Sequence, residues 1–228
     1  MSRHRLVAIV PMRHRSERVP GKNYRSFGGR PLYRWIVDTL LACELIDRVV
    51  LDTDSPTILE EAARELPQVT LLERPAHLRG GEIPMNDVLL NTAGVVDSEL
   101  YLQTHSTNPL LTTETVQRGL TAFLKAYPAY DSMFSVTRLQ TRLWDSLARA
   151  LNHNPAILLR TQDLPPVYEE NSCLYVFDRD TLVRRHNRIG ERPTLFEIPR
   201  EEAWDIDEEF DFQVAEFLLR KREEGRRR

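Results

Sequence analysis

Apolar and polar positions along this chain fall into two alternating patterns. Short, nearly unbroken apolar runs at residues 6–11, 46–53, 69–72, 99–103 and 132–137 read as strands buried on both faces. Between them, apolar residues recur with helical spacing over residues 31–43, 56–66, 84–95 and 113–127. Pro31 sits in the first turn of one helix, where a missing N–H does no harm, and Ser55 is placed to cap the next. The pattern degrades between residues 138 and 166. It resumes with a strand at 173–177, a short helix at 179–186, a strand at 195–198 and a closing helix at 208–222. Strands alternating with helices predict an α/β fold: one largely parallel sheet with helices on both faces, in a single domain spanning residues 1–228. The stretch 178–204 is expected to project from the sheet as a subunit contact.

The most ligand-like segment follows the first strand. From Val10 to Asn23 the chain carries Arg13, Arg15, Arg18, Lys22 and Asn23, with Gly21 beside the lysine. Open α/β sheets bind their ligands at the C-terminal ends of strands. Arginine forks and a lysine point charge suit the oxygens of a polyphosphate, and glycine lets backbone approach. Two acidic pairs also fall at predicted strand ends. In an extended segment, alternate residues share a face, so Asp205 and Asp207 can aim both carboxylates at one point. Hard oxygen ligands of this kind suit Mg²⁺, which fills its shell with phosphate and water. Asp207 also reads as a helix N-cap. For Asp52 and Asp54 a turn-and-cap role before Pro56 is the stronger reading. Residues 103–109 collect hydroxyls, an amide and His105, groups that read a base or a sugar and that turns also use.

Composition narrows the class. The formal net charge is −3, so nothing points to a general nucleic-acid or membrane binder, and the closing arginine run at 226–228 is too short to alter that. Cys43 and Cys173 lie in apolar contexts and make neither a disulfide framework nor a zinc site. No apolar run nears the ~18 residues of a membrane span, and no signal-peptide pattern opens the chain, so a cytoplasmic protein is expected. Of 31 basic residues only Lys22, Lys125 and Lys221 are lysine. That one of them occupies the middle of the ligand-like loop hints at a need for a compact ammonium there.

Together these segments resemble the acylneuraminate cytidylyltransferase family, the CMP-sialic acid synthetases and their relatives. Arg13, Ser16, Pro20, Lys22 and Asn23 match the family's opening loop, and Gly29-Arg30-Pro31-Leu32 matches its first helix start. Asp52-Thr53-Asp54, Arg74-Pro75, Gln103 to Pro109, Tyr130 to Val136, Arg160 to Asp163, Glu170-Asn171 and Asp205-Ile206-Asp207 follow in the family's order. The resemblance implies a Rossmann-like domain of the nucleotide-diphospho-sugar transferase (GT-A-like) type. It further implies a homodimer in which a small protruding element reaches over the partner's site. The implied reaction joins CTP to a sugar acid, giving a CMP-sugar and pyrophosphate. In that scheme Arg13 and Lys22 hold the triphosphate, while Met12, Asn23, Arg74 and Gln103 flank the nucleotide. Asp205 and Asp207 hold Mg²⁺, and Arg160, Gln162 and Asn171 face the sugar.

The chain departs from the family pattern in places. Thr161 stands for an arginine and Ser172 for a glycine, the loop after Gln103 is longer, and a serine-rich loop is replaced by Glu82-Ile83-Pro84-Met85. These changes lie on the sugar-facing and loop segments, which leaves sialic acid or another 2-keto-3-deoxy sugar acid open as acceptor. A GT-A glycosyltransferase, another nucleotide or sugar, and a non-catalytic nucleotide-binding relative are the alternatives. An NAD-dependent oxidoreductase is disfavoured because no G-x-G-x-x-G follows the first strand.

Overall fold

The computed structural model describes residues 4–226, so the end of the arginine run lies outside the described residues. Its centre is strand β1 (Leu6–Met12), buried along its whole length. Leu6, Ala8, Val10 and Met12 point into one core cluster, Val7 and Ile9 into another on the opposite face. This two-sided alternation explains why the strand reads as a continuous apolar run: both faces of the sheet are covered. On one face pack α1 (Leu32–Leu41), α2 (Pro56–Glu65) and α4 (Thr113–Ala126). On the other lie α3 (Met85–Val95) and α5 (Arg179–Arg185). Each fully buried aliphatic side chain contributes about 1.5–3 kcal/mol to such cores.

The sheet has seven strands in the order β5-β4-β1-β6-β8-β7-β9. Its parallel half is β5 (Thr70–Glu73), β4 (Arg48–Thr53), β1 and β6 (Leu100–Gln103). Beyond β6 the direction reverses, because β8 (Val167–Asp178) pairs antiparallel with both β6 and β7 (Ser132–Leu139). A two-stranded ribbon, β2 (Ser26–Phe27) and β3 (Arg30–Pro31), precedes α1. The closing helix α6 (Glu209–Arg226) covers a third cluster through Phe212, Ala215 and Leu219, which meet Phe27, Leu32 and Ile206.

The stretch 178–204 does not project from the sheet. α5 packs onto the sheet through Leu182, and β9 (Pro193–Glu197) pairs in parallel with β7 as the edge strand. What leaves the sheet is the β7–β8 arm. The register shifts between Phe134 and Val136, and beyond Val136, the last β7 residue paired with β9, only β7 and β8 continue together, paired as far as Leu139 and Val167. The connecting loop between them exposes Trp144, Leu147, Leu151, Ile157 and Leu158, the last at 89 %. Residues 167–172 are half-buried or exposed and largely polar, so the hydrophobic pattern does not mark them as strand.

Candidate active site

The chain leaving the C-terminal ends of β1, β5 and β6 lines one cavity of about 780 Å³, within the usual range for small-molecule sites. The loop leaving β1 forms its centre and is pinned on both sides. His14 N–H donates to Asp54 Oδ1 at 2.7 Å, and the His14 ring meets Ser55 Oγ at 2.9 Å. On the other side Asn23 Nδ2 donates to Arg13 O at 2.8 Å and Asn23 Oδ1 accepts from Ser106 Oγ at 2.7 Å. Gly21 turns the loop into a short 3₁₀ turn at φ +66°, and a Cβ there would lie 2.9 Å from the Tyr24 ring. Both the dihedral and the contact demand glycine.

Lys22 is carried inward by that turn. Its Nζ donates to Ile206 O, between Asp205 and Asp207. Burial lowers its pKa, opposed by the charges of Asp205 and Asp207. Asp205 faces the cavity, where desolvation raises its pKa, a hydrogen bond from Thr107 opposes the shift and the charge of Asp207 adds to it. Asp207 is held by Arg18, Nη2 to Oδ1 at 2.6 Å. Helix capping falls to Asp211, whose carboxylate accepts from the N–H groups of Asp207 and Glu208. Two carboxylates on one short segment, with the Lys22 ammonium bonded to the carbonyl between them, fit a divalent cation: hard oxygen donors beside an open cavity. Arg13 completes the cationic face and lies against Gly81, where a Cβ would come within 2.9 Å of its Nη1.

The remaining wall toward β5 is apolar, made by Leu78, Ile83, Met85 and Val88. Behind it Arg74 is buried and donates from Nε to Asp52 Oδ1 at 2.7 Å, while Asp52 Oδ2 accepts from Thr92 Oγ1 at 2.6 Å. Side-chain exposure of 3 % and 0 % makes this an internal ion pair at the cavity wall. Asp52 and Asp54 thus brace the fold by other means than the turn and cap expected of them: Asp52 pairs with Arg74, Asp54 accepts from the His14 N–H, and the cap of α2 is Ser55. Breaking a buried pair strands a charge. Asp52→Ala is expected to lower unfolding free energy by about 3 kcal/mol, measured by urea denaturation; a loss below ~1 kcal/mol would mean that Arg74 finds another partner.

The cavity thus brings together Met12, Arg13, Lys22, Asn23, Arg74, Asp205 and Asp207. Met12 reaches its wall with a side chain packed in the core. Gln103 is withdrawn. It is fully buried, with Oε1 accepting from Arg188 and Nε2 donating to Thr104 O and the His105 ring, so it braces two cavity residues from behind the cavity wall. Asn171 lies beside the cavity, bonded to Ser135 and Thr137. Arg160, paired to Asp163, and Gln162 are exposed on the β7–β8 arm, away from the cavity walls. Ser172 lines the cavity at φ +58°, a left-handed backbone that accounts for the glycine of the family pattern. His105 also lines the cavity; desolvation, then the charges of Arg188 and Lys22, push its pKa down to about 4. Arg18 is read from the sequence only as one of the loop's arginines, and Arg188 not at all, since it is one arginine in an ordinary polar run.

An open α/β sheet with a cationic loop after β1, facing a dicarboxylate pair, defines a nucleotidyltransferase. The chain belongs to the cytidylyltransferase family, whose model matches residues 7–223. It is 24 % identical over 232 residues to the pseudaminic acid cytidylyltransferase of Campylobacter jejuni, covering 96 % of this chain and 98 % of that one. It is 26 % identical over 228 residues to the N-acylneuraminate cytidylyltransferase A of Danio rerio, covering 94 % of this chain and 50 % of that one. The fold is shared with a CMP:2-keto-3-deoxy-manno-octonic acid synthetase complexed with CTP. That match has a TM-score of 0.69 at 16 % identity and covers 96 % of this chain and 99 % of that one. It is shared also with the 4-diphosphocytidyl-2C-methyl-D-erythritol synthase of Anaerococcus prevotii, with TM-score 0.69 at 14 % identity, covering 95 % and 96 %. Among the described residues no helix is long and apolar enough to cross a membrane.

Proposed function

We propose that this enzyme transfers the cytidylyl group of CTP to a sugar acid, with Mg²⁺ as cofactor. The observation that carries the reading is the convergence of Lys22 with Asp205 and Asp207 beside the arginines of the β1 loop. Family membership and the sugar-acid relatives support it.

In the reaction, an acceptor hydroxyl oxygen forms a bond to the α-phosphorus of CTP. The bond from that phosphorus to the bridging oxygen breaks, pyrophosphate leaves with the electron pair, and the hydroxyl proton passes to water. Phosphoryl-type transfer depends on positioning and charge stabilisation. Arg13 and Lys22 hold the triphosphate, with Arg18 beside them at the cavity. Asp205 and Asp207 hold the Mg²⁺, which when bound neutralises charge on the phosphate oxygens. Met12 and Asn23 flank the nucleotide, and the apolar wall in front of Arg74 receives the base. A thermal-shift comparison of CTP, UTP, GTP and ATP with and without Mg²⁺ tests this assignment. A Mg²⁺-dependent stabilisation specific to CTP is expected, and preference for another nucleotide would contradict it.

The working form is a homodimer in the cytoplasm, joined through the β7–β8 arm. Large apolar side chains left in water around Leu158 call for a covering surface. A second copy, crossing arm over site, would bring Arg160 and Gln162 to the partner's cavity, beside Asn171. Leu158→Glu is expected to yield monomer with KM for the acceptor raised at least tenfold, read by analytical ultracentrifugation and kinetics. A variant that stays dimeric and fully active would remove the arm from the interface.

A further inference from the structure

Among the described residues, Arg188 is the one arginine or lysine of the cavity outside the phosphate loop and the pair formed with Asp52. It lines the cavity with His105 and Ser172, where β6 and β8 end the parallel half of the sheet. Its backbone is fixed. The Arg188 N–H donates to Asn86 Oδ1 at 3.2 Å and the Gly190 N–H to Ser132 Oγ at 2.8 Å. At Gly190 a Cβ would fall 2.0 Å from Asp131 Oδ1, so the loop closes against β7 with no slack.

The side chain is fixed as well. The guanidinium carbon stands 3.5 Å from the centroid of the Tyr175 ring, and one Nη donates to Gln103 Oε1. A guanidinium has no acceptor, so this contact fixes the Gln103 amide with oxygen toward Arg188 and nitrogen toward His105. His105 Nε2 must then accept from Gln103 Nε2 at 2.9 Å, which puts the ring proton on Nδ1. The low pKa of His105 agrees with a ring kept neutral beside a fixed cation. The Tyr175 hydroxyl donates to Glu170, whose charge also acts favourably on Arg188 without a direct ion pair. Among the described residues no carboxylate forms an ion pair with Arg188. A guanidinium has five N–H donors, and the half-buried Arg188, bonded to Gln103 Oε1 and held against Tyr175, keeps donors to offer an anion.

The triphosphate has its own cations in Arg13, Arg18 and Lys22. We infer that Arg188 binds the carboxylate of the acceptor sugar acid, with Tyr175 and Gln103 presenting its guanidinium edge to that group. The inference rests on the proposed function and deepens it. In a 2-keto sugar acid the carboxylate and the reacting hydroxyl share the anomeric carbon. Gripping the carboxylate therefore sets the hydroxyl's direction toward the α-phosphorus, and an aldose lacking the acid loses both affinity and alignment.

The test is steady-state kinetics of wild type, Arg188→Gln and Arg188→Lys with CTP and the best used of N-acetylneuraminate, pseudaminate and 3-deoxy-manno-octulosonate. Arg188→Gln is expected to raise KM for the acid about 50-fold, the range of a charge-assisted hydrogen-bonded pair, with KM for CTP within twofold. Arg188→Lys should recover part of the loss. The carboxamide of the same sugar supplies the control: wild type should lose a comparable factor on it, whereas Arg188→Gln should lose little more. An acid KM within twofold of wild type in active Arg188→Gln, or a wild type indifferent to the amide, overturns the assignment to Arg188 alone. A wild type that binds CTP but turns over none of the three acids overturns the proposed acceptor class and the inference together. CTP-induced thermal shifts of the variants report whether the nucleotide half of the site is still folded.

Discussion

Lys22→Ala should lower kcat/KM for CTP about 10³-fold, the loss expected when one preorganised donor to a charged transition state is removed. Lys22 earns this size of effect from its position. It is buried, it reaches across from the β1 loop to the Ile206 carbonyl, and its charge faces Asp205 and Asp207. Removing it takes away the buried bond from the β1 loop to the segment before α6, leaving Arg18 to Asp207 as the remaining link, and leaves the two carboxylates without their ammonium. Lys22→Arg should rescue little, because a planar fork does not fit the space of a compact ammonium. Initial-rate measurements over CTP concentration check both; an alanine variant within threefold of wild type would reduce the loop to scaffold.

The second large effect belongs to Asp205. Asp205→Asn should abolish Mg²⁺-dependent turnover, by at least about 10³-fold, because one of two hard oxygen donors loses its charge. The same variant should melt no lower than wild type without metal. Asp205 has its folded pKa raised, first by desolvation and then by Asp207, against the bond from Thr107 and the charge of Lys22. A carboxyl whose folded pKa lies above its unfolded one stabilises the fold only at low pH, and that contribution is lost as pH rises through the folded value. At neutral pH the ionised group therefore opposes folding until a cation joins it, and asparagine removes the opposition. A variant that keeps both its turnover and its Mg²⁺-induced thermal shift would take Asp205 out of the metal site.

Much of this architecture can be read from the chain, for a physical reason. β1 and β4 are covered on both faces, so their sequences are nearly unbroken apolar runs, and the helices over them show their packed stripe. The loop after β1 and the Asp205-Ile206-Asp207 segment are legible because charge is concentrated there at strand ends. The β7–β8 arm is not legible, since its strands leave the sheet and no core imposes a pattern on residues 167–172. The projection expected for 178–204 fails for the opposite reason. β9 is only an edge strand with alternating exposure, so its sequence resembles a surface segment although it completes the sheet. Gln103 sits where a ligand contact is expected, at the end of β6, but Arg188 arrives from 85 residues later in the chain and takes its oxygen. That exchange depends on the loop between α5 and β9 folding back across β6, which no local pattern announces.

The central claim is that this cavity joins CTP to a sugar acid. It is tested most directly by ³¹P NMR of the enzyme with CTP, Mg²⁺ and each of N-acetylneuraminate, pseudaminate and 3-deoxy-manno-octulosonate. The account predicts loss of the CTP resonances with equal appearance of pyrophosphate and one phosphodiester signal, for at least one acid and only with Mg²⁺ present. CTP left intact with all three acids, under conditions where it demonstrably binds, would contradict it.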